Sequence, residues 1–391
     1  MRIRLKQKID WYAGYGLTAI LLPITRLLGI VLRRDHSLSK PPRRLLFIKL
    51  MGLGSLVVAS EAITAMRRRF PNTRFILLTD SNIADGIAPF QLFDEIVQTD
   101  TNRLFSTARR MVRFFARSWT WRSLWVVDLE VYSKLTTVLA LLTLARNRFG
   151  FYLPPVPLRK YLNTHNIPFD RSTYLEANYT TMARSITGVP QLAMEAPPPR
   201  TGERYKPYIL LNNTCSSLAA VRKLPDSTFS AICRWLLENT PYHLALLGAP
   251  EDKRSIDRFI NEDAGLFHQQ DRILNYAGVA KDFGEYYQFL GEYGVCLITI
   301  DSGPLHIARK LGLPTLSIWG PTDPAHYLNI PPDDRHRHLV HYLGVPCSPC
   351  VHRYPTPPCG GDNVCMKNSL PSAIIKKIET LLAHLSLPQP V

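Results

Sequence analysis

The residues with the clearest capacity for chemistry are Asp301-Ser302-Gly303-Pro304-Leu305-His306. They follow an apolar run, VCLITI at 295–300, and open a helical stretch with Pro304 near its first position. Ser302 and Gly303 can there present a hydroxyl and backbone N–H groups to a phosphate, an anion that a helix amino terminus favours. His306 sits one turn on, within reach of the same ligand; a Ser N-cap beside a solvated His is the plain structural alternative. Trp319-Gly320-Pro321-Thr322-Asp323-Pro324, just past the run 314–318, is a second, turn-rich motif. The two motifs end neighbouring strands of one βαβ unit, where α/β folds bind ligands. A third, Met51-Gly52-Leu53-Gly54-Ser55, follows the strand 45–50. Its glycines let backbone approach a ligand, but the third glycine of a dinucleotide fingerprint is missing and position 57 is Val, so a tight structural turn reads equally well.

These motifs need a scaffold that carries them at strand ends. Apolar runs at 45–50, 74–79, 95–98 and 124–129 alternate with helical stretches at 55–70, 101–120 and 133–146. That alternation is the signature of βαβ units and a parallel sheet. A Pro triplet and few large apolar residues mark 191–206 as a linker. Beyond it come strands at 208–212, 243–247, 295–300 and 314–318, with helices at 226–239, 251–262, 282–291 and 304–311. The expected fold class is α/β, with two Rossmann-like domains, 41–190 and 207–391, facing a cleft.

The chain has 391 residues, 46% hydrophobic and 20% charged, enough for a sizeable core and against disorder or collagen-like order. Its net charge of +16 points to an anionic partner. Most of that excess lies in two segments: residues 1–44 hold ten Lys/Arg and two Asp/Glu, and residues 103–122 hold six Arg and no acid. A nucleic-acid protein would spread its cations along a groove with exposed aromatics, so no nucleic acid is expected and a membrane surface fits better. Residues 11–32 are apolar, with Leu17, Ile20, Leu21, Ile24, Leu27, Leu28 and Val31 on one helical face and Thr18, Thr25, Gly29 and Arg33 on the other. Arg2, Arg4, Lys6, Lys8, Arg33 and Arg34 flank the stretch, and Trp11, Tyr12 and Tyr15 supply headgroup-level aromatics. Residues 1–40 therefore read as a membrane-associating helix lying in an anionic interface, with a spanning helix or a core helix as alternatives. In 103–122, Arg109, Arg113 and Arg117 share one helical face, and Val112, Phe115 and Trp119 another. Seven Cys, four of them within 347–365, disfavour a secreted disulfide framework and point to a reducing cytosol.

Asp301-Ser302-Gly303-Pro304-Leu305-His306-Ile307-Ala308, then Leu311-Gly312-Leu313-Pro314 and Trp319 to Pro324, resemble the carboxyl-terminal signature of glycosyltransferase family 9, the ADP-heptose:lipopolysaccharide heptosyltransferases. Ile48-Lys49 through Gly54, Val127-Asp128-Leu129, Asn212 to Pro225, Asn275-Tyr276-Ala277-Gly278 and the 347–366 cysteine pattern are also similar to the family, so the likeness spans about 44–380. The resemblance implies a GT-B fold, with an amino-terminal acceptor domain and a carboxyl-terminal donor domain whose last helix packs back on the first. It further implies an inverting, metal-independent transfer that needs no cofactor. The implied partners are a nucleotide-sugar donor, ADP-heptose or similar, and a lipopolysaccharide-core or other lipid-linked glycan acceptor. Such an enzyme would sit on the cytoplasmic side, peripherally attached to the inner membrane.

Carried over residue by residue, Ser302, Gly303 and the helix from Pro304 hold the donor diphosphate, together with Asp301 and Thr214. Arg222 and Lys223 neutralise leaving-group charge, and His306 contacts phosphate or sugar. Lys49, Gly52 and Gly54 form the first-strand loop. The chain departs from the family where Gly-Asp is usual, since it has Gly54-Ser55, and the missing carboxylate resembles the general base. Leu224 replaces the aromatic after the basic pair, and Lys49 the usual Arg. Strands 1 and 4 are adjacent in a doubly wound sheet, so Glu130, after Asp128 at the fourth strand's end, is the candidate replacement base beside Ser55; a solvated loop carboxylate is the alternative, and Glu61 points elsewhere. An enzyme that has lost its activity, retaining only nucleotide-sugar binding, is the competing class. Cys347, Cys350, Cys359 and Cys365 have spacings that zinc could use, although the family's cysteines need not be ligands.

Overall fold

The computed structural model describes residues 3–32, 35–99, 104–154, 159–191, 208–215, 220–351, 353–354 and 357–385. The chain divides into two compact units, Met1–Glu195 and Ala196–Val391. Beyond Gln191 the expected linker lies outside the described residues.

The amino-terminal unit opens with helix α1 (Ile3–Leu32). Its strands are β1 (Arg44–Lys49), β2 (Arg74–Asp80), β3 (Glu95–Thr99), β4 (Leu124–Asp128), β5 (Asn147–Tyr152) and β6 (His165–Pro168). Helices α2 (Leu53–Arg69), α3 (Ser81–Ile87), α4 (Leu104–Trp119), α5 (Lys134–Leu142) and α6 (Arg159–Leu162) connect them, and α7 (Leu175–Thr187) follows. All pairings are parallel, in the order β3-β2-β1-β4-β5-β6. β1 is covered on both faces, so Leu45, Leu46, Phe47 and Ile48 are all fully buried and the strand reads as a continuous apolar run. On one face Phe114 and Phe115 of α4 and Ala140 of α5 pack on Leu46, Ile48, Ile76 and Val126.

Helix α1 does not stand apart from this unit. Leu21 and Leu22 pack on Val138 and Leu141 of α5 and Leu162 of α6. Close approach depends on small residues: a Cβ on Gly14 would lie 2.8 Å from the Cβ of Lys134, and the buried Thr18 hydroxyl donates to the Gly14 carbonyl at 2.6 Å. The apolar face expected from spacing is therefore divided. Leu21 turns inward with Thr18, while Leu17, Ile20, Ile24, Leu27 and Val31 remain exposed. Among the described residues no helix is long and apolar enough to cross a membrane.

The carboxyl-terminal unit repeats the winding. Its strands are β7 (Tyr208–Asn212), β8 (His243–Leu246), β9 (Ile273–Asn275), β10 (Gly294–Ile300), β11 (Thr315–Trp319) and β12 (His338–Tyr342), parallel in the order β12-β11-β10-β7-β8-β9. Its helices are α8 (Asp226–Asn239), α9 (Lys253–Glu262), α10 (Ala264–Phe267), α11 (Phe283–Tyr293), α12 (Gly303–Lys310), α13 (Pro324–Tyr327), α14 (Val364–Lys367) and α15 (Pro371–Ala383). The last helix places Ile374, Ile378 and Leu381 in this unit's own core, with Leu236 of α8 and Leu316 of β11. In each sheet the first and fourth strands are neighbours, so each unit has a topological switch point: β1/β4 and β7/β10.

Candidate active site

At the β7/β10 switch point Asn212 lies opposite Thr299. The Asn212 amide donates to the Ser302 hydroxyl at 3.1 Å, to the Thr299 hydroxyl at 3.3 Å and to the Thr214 carbonyl at 3.0 Å. The Thr214 hydroxyl donates to Asn212 Oδ1 at 3.0 Å, which fixes the orientation of that amide. Ser302 stands at the N-cap of α12, but its side chain makes no capping bond. Its hydroxyl is held sideways by Asn212 and Thr299, and the first N–H groups of α12 are left without a side-chain cap. Among the described residues, a Cβ built on Gly303 would meet nothing within 4 Å. An uncapped helix terminus with open space beside it is suited to an anion.

Asp301 is buried just before that terminus. Its Oδ2 accepts from the Thr322 hydroxyl at 2.6 Å and pairs with Arg222 Nη1 at 3.2 Å. Burial pushes the Asp301 carboxyl up from the ordinary value, against the opposing pull of Arg222 and Thr322. Arg222 is thereby anchored, and its Nε is buried with no hydrogen-bond partner among the described residues. The turn that carries it is pinned to the end of β7: Asn213 accepts from Leu224 N at 2.9 Å and donates to Leu224 O at 3.2 Å. Leu224 itself fills the core, and Lys223 is exposed with its carbonyl held by Asn363 at 3.0 Å. His306 is buried rather than solvated, and its Nδ1 has no partner among the described residues. Burial, helped by Arg309 and Arg222, lowers its pKa to about 3, so the ring is neutral near pH 7 and positive charge here belongs to the arginine and lysine.

The motif after β11 is supported from below by the cysteine segment. A Cβ on Gly320 would lie 2.5 Å from Met366 Sδ and 2.8 Å from Cys365 Sγ, and Cys350 N donates to the Pro321 carbonyl at 3.0 Å. Cys347, Cys350, Cys359 and Cys365 are all free thiols, and burial raises the Cys365 thiol to about 11. Among the described residues no group of three or more His, Cys, Asp or Glu side chains could hold a metal ion.

At the β1/β4 switch point the geometry of the expected catalytic residues is different from the one their spacing implied. Glu130 is nearly enclosed and all its bonding is inward: Oε2 accepts from Lys49 Nζ at 3.0 Å, and Oε1 accepts from the backbone amides of Leu50 and Met51 at 2.9 and 2.8 Å. Burial works against the Lys49 ammonium, but the Glu130 carboxylate, with Tyr179 and Asp128 nearby, outweighs it and holds its pKa above the ordinary lysine value. Asp128 has no exposed surface. Its Oδ2 accepts from Arg159 at 2.7 Å, Thr136 at 2.9 Å and Thr137 at 3.2 Å, while Oδ1 accepts from Glu130 N at 3.1 Å. It braces the interior and is closed to a substrate. Ser55, in the first turn of α2, is partly exposed and donates to the Gly52 carbonyl at 2.8 Å. Gly52 has φ +82°, a left-handed conformation that favours glycine, and Gly54 continues the turn into α2. Tyr179 of α7 is buried nearby, and burial raises its phenol above the ordinary value against the opposing pull of Lys49.

The sequence reading did not find Tyr179, Arg159 or Asn212 as site-forming residues. Thr136-Thr137, eight and nine residues after Asp128, was the one local signal that this carboxylate would be enclosed.

The family model "Glycosyltransferase family 9 (heptosyltransferase)" matches residues 164–357. No curated protein matches the chain by sequence. Among solved structures the chain is similar to the glycosyl transferase family 9 protein of Veillonella parvula, at 16% identity and a TM-score of 0.65 over 87% of this chain and 97% of that one. It is also similar to E. coli ADP-heptose lps heptosyltransferase II, at 15% identity and TM-score 0.65 over 87% and 98% of the two chains. E. coli heptosyltransferase WaaC with ADP-2-deoxy-2-fluoro heptose matches at 14% identity and TM-score 0.62 over 86% and 99%. The two parallel six-stranded units are the GT-B fold of these structures.

Proposed function

Since the chain belongs to glycosyltransferase family 9 and is a glycosyltransferase, we propose that it transfers a sugar, with inversion and without a metal, from ADP-heptose or a similar nucleotide sugar to a lipid-linked glycan of the lipopolysaccharide-core type. The observation that carries this reading is the terminus of α12: uncapped N–H groups, open space at Gly303 and an anchored Arg222 beside it. A nucleoside diphosphate fits that chemistry, because both its ground-state charge and the charge gained on departure are met by fixed dipoles and a guanidinium. Lys223 adds a second, exposed cation, and the neutral His306 ring offers hydrogen bonding without charge.

In the transfer, the acceptor hydroxyl oxygen attacks the anomeric carbon from the face opposite the diphosphate. The anomeric C–O bond breaks, its electron pair leaves on the diphosphate oxygen, and the hydroxyl proton goes to solvent. Ser55 occupies the loop position where the family has a carboxylate, and Glu130 holds that loop through Lys49, Leu50 and Met51. Glu130 is thus a positioning residue. α1 presents Leu17, Ile20, Ile24 and Leu27 to the interface of the inner membrane, on the cytoplasmic side where the nucleotide sugar is available.

A transfer screen over nucleotide sugars with a lipopolysaccharide-core acceptor, run in excess chelator, tests the proposal. Acceptor-dependent nucleoside diphosphate release with an inverted anomeric configuration in the product is expected. Release that requires a divalent metal, or a retained configuration, overturns it.

A further inference from the structure

We propose that the outer face of α4 is a second lipid-contacting element and that, with α1, it lays the helical side of the amino-terminal sheet on anionic phospholipid. This rests on the reading that the chain works at a membrane, and adds which surface meets the bilayer.

α4 turns Phe114, Phe115 and Ser118 inward and leaves Arg109, Arg110, Val112, Arg113, Ala116, Arg117 and Trp119 exposed. Val112, Ala116 and Trp119 are spaced four and three residues apart, so they line one outward stripe. Val112 is 68% exposed and Trp119 58%. The indole is fixed there, because its Nε1 donates to the Leu142 carbonyl at the end of α5 at 2.8 Å.

The arginines beside this stripe differ in their commitments. Arg110 donates to the Gln98 carbonyl at 2.9 Å, and Arg117 is paired with Glu95. Arg109 and Arg113 are exposed and have no partner among the described residues. No acidic residue lies between 103 and 122 to neutralise them.

The two helices share α5 as a neighbour: Trp119 of α4 bonds its Leu142 carbonyl, and Leu21 and Leu22 of α1 pack on its Val138 and Leu141. α4 and α5 pack on one face of the sheet, and α1 lies on the outside of α5 and α6. Their exposed residues thus form one side of the unit: Leu17, Ile20, Ile24 and Leu27 from α1, with Val112, Trp119, Arg109 and Arg113 from α4. Apolar side chains at acyl depth, a tryptophan at the boundary and exposed guanidiniums at phosphate level match the layers of an anionic interface. A soluble polyanion would engage the arginines alone and leave Val112 and Leu27 in water.

The test is sedimentation of the full chain with vesicles of phosphatidylcholine alone or mixed with phosphatidylglycerol. The Arg109→Gln/Arg113→Gln double variant should bind the anionic vesicles about 25-fold more weakly, about fivefold per arginine. Transfer to a water-soluble acceptor fragment should be unchanged. Brominated phosphatidylglycerol should quench wild-type tryptophan fluorescence, and Trp119→Phe should lose part of that quenching. If the double variant binds as wild type does, or Trp119→Phe leaves the quenching unaltered, the inference about α4 is wrong. Loss of binding in Ile20→Ser/Leu27→Ser alone, with the α4 variants unaffected, would then leave α1 as the sole contact and the proposed function standing.

Discussion

Lys49 and Glu130 form a 3.0 Å ion pair with side chains 6% and 8% exposed, joining the ends of β1 and β4 beneath the glycine loop. Because the same carboxylate also holds the amides of Leu50 and Met51, the pair determines where the backbone from Leu50 to Ser55 lies. Removing one partner leaves a buried charge uncompensated, which costs about 3–5 kcal/mol. Lys49→Met should therefore lower the unfolding free energy measured in urea by that much, and Glu130→Gln, which leaves the buried Lys49 ammonium without its counter-ion, by a comparable amount. The double variant should recover part of the Lys49→Met loss. Strict additivity in this cycle would show that the two side chains do not act as a pair.

Ser55 is partly exposed, whereas Glu130 and Asp128 are buried. A positioned base contributes about 10²–10⁴-fold to a transfer of this kind. Ser55→Asp should therefore raise kcat with little change in donor affinity, and the new carboxylate in the first turn of α2 is favoured by the helix dipole. A kcat that stays at or below the wild-type value would mean that residue 55 does not face the acceptor hydroxyl.

How far these placements were legible in the sequence depended on whether the signal was contiguous. β1, β4, β7 and β10 are central strands, buried on both faces, and their apolar runs stand out. β6 (HNIP), β9 (ILN) and β12 (HLVHY) are short edge strands, and β5 (NRFGFY) carries polar residues and a glycine, so the periodic signal was too weak to find them. The Asp301–His306 motif was legible because one turn and one helix end present it. Asn212 reaching Ser302, or Arg159 reaching Asp128, joins residues 90 and 31 positions apart, and only the fold brings them together. Strand adjacency accounts for Glu130 lying next to the loop. Its inward bonding to Leu50 and Met51 depends on side-chain direction, which spacing does not specify.

His306 links the donor site to pH. Its folded pKa of about 3 lies below the ordinary 6.5, so the unfolded chain takes up a proton that the folded chain refuses. The stability it contributes is complete above about pH 6.5 and is lost as pH falls toward 3. Between pH 6.5 and 5 the loss is roughly 1.5 kcal/mol. His338, also near 3, adds a similar slope. Denaturant melts of His306→Asn should lose about 1.5 kcal/mol less than wild type over that interval, and an identical slope would place His306 in contact with solvent.

Truncation distinguishes a tethered anchor from an integral helix. Deleting residues 1–34 uncovers Val138, Leu141 and Leu162 on α5 and α6. Losing the cover of Leu21 and Leu22 should cost the amino-terminal unit about 2–4 kcal/mol, read as a lower urea midpoint. A midpoint equal to that of the full chain would show that α1 contributes nothing to the unit it packs on.

The claim that the α12 terminus holds the donor diphosphate can be tested at one atom. Because nothing among the described residues lies within 4 Å of a Cβ on Gly303, a side chain there fits the folded protein but occupies the space assigned to phosphate. Calorimetric titration of ADP-heptose, or of the nucleotide sugar that supports turnover, into wild type and Gly303→Val in excess chelator is the direct measurement. The account predicts wild-type binding without metal, an unchanged melting temperature in Gly303→Val and an affinity at least about tenfold weaker, as expected for losing one charge-assisted phosphate contact. A folded Gly303→Val that binds the donor as tightly as wild type would contradict it.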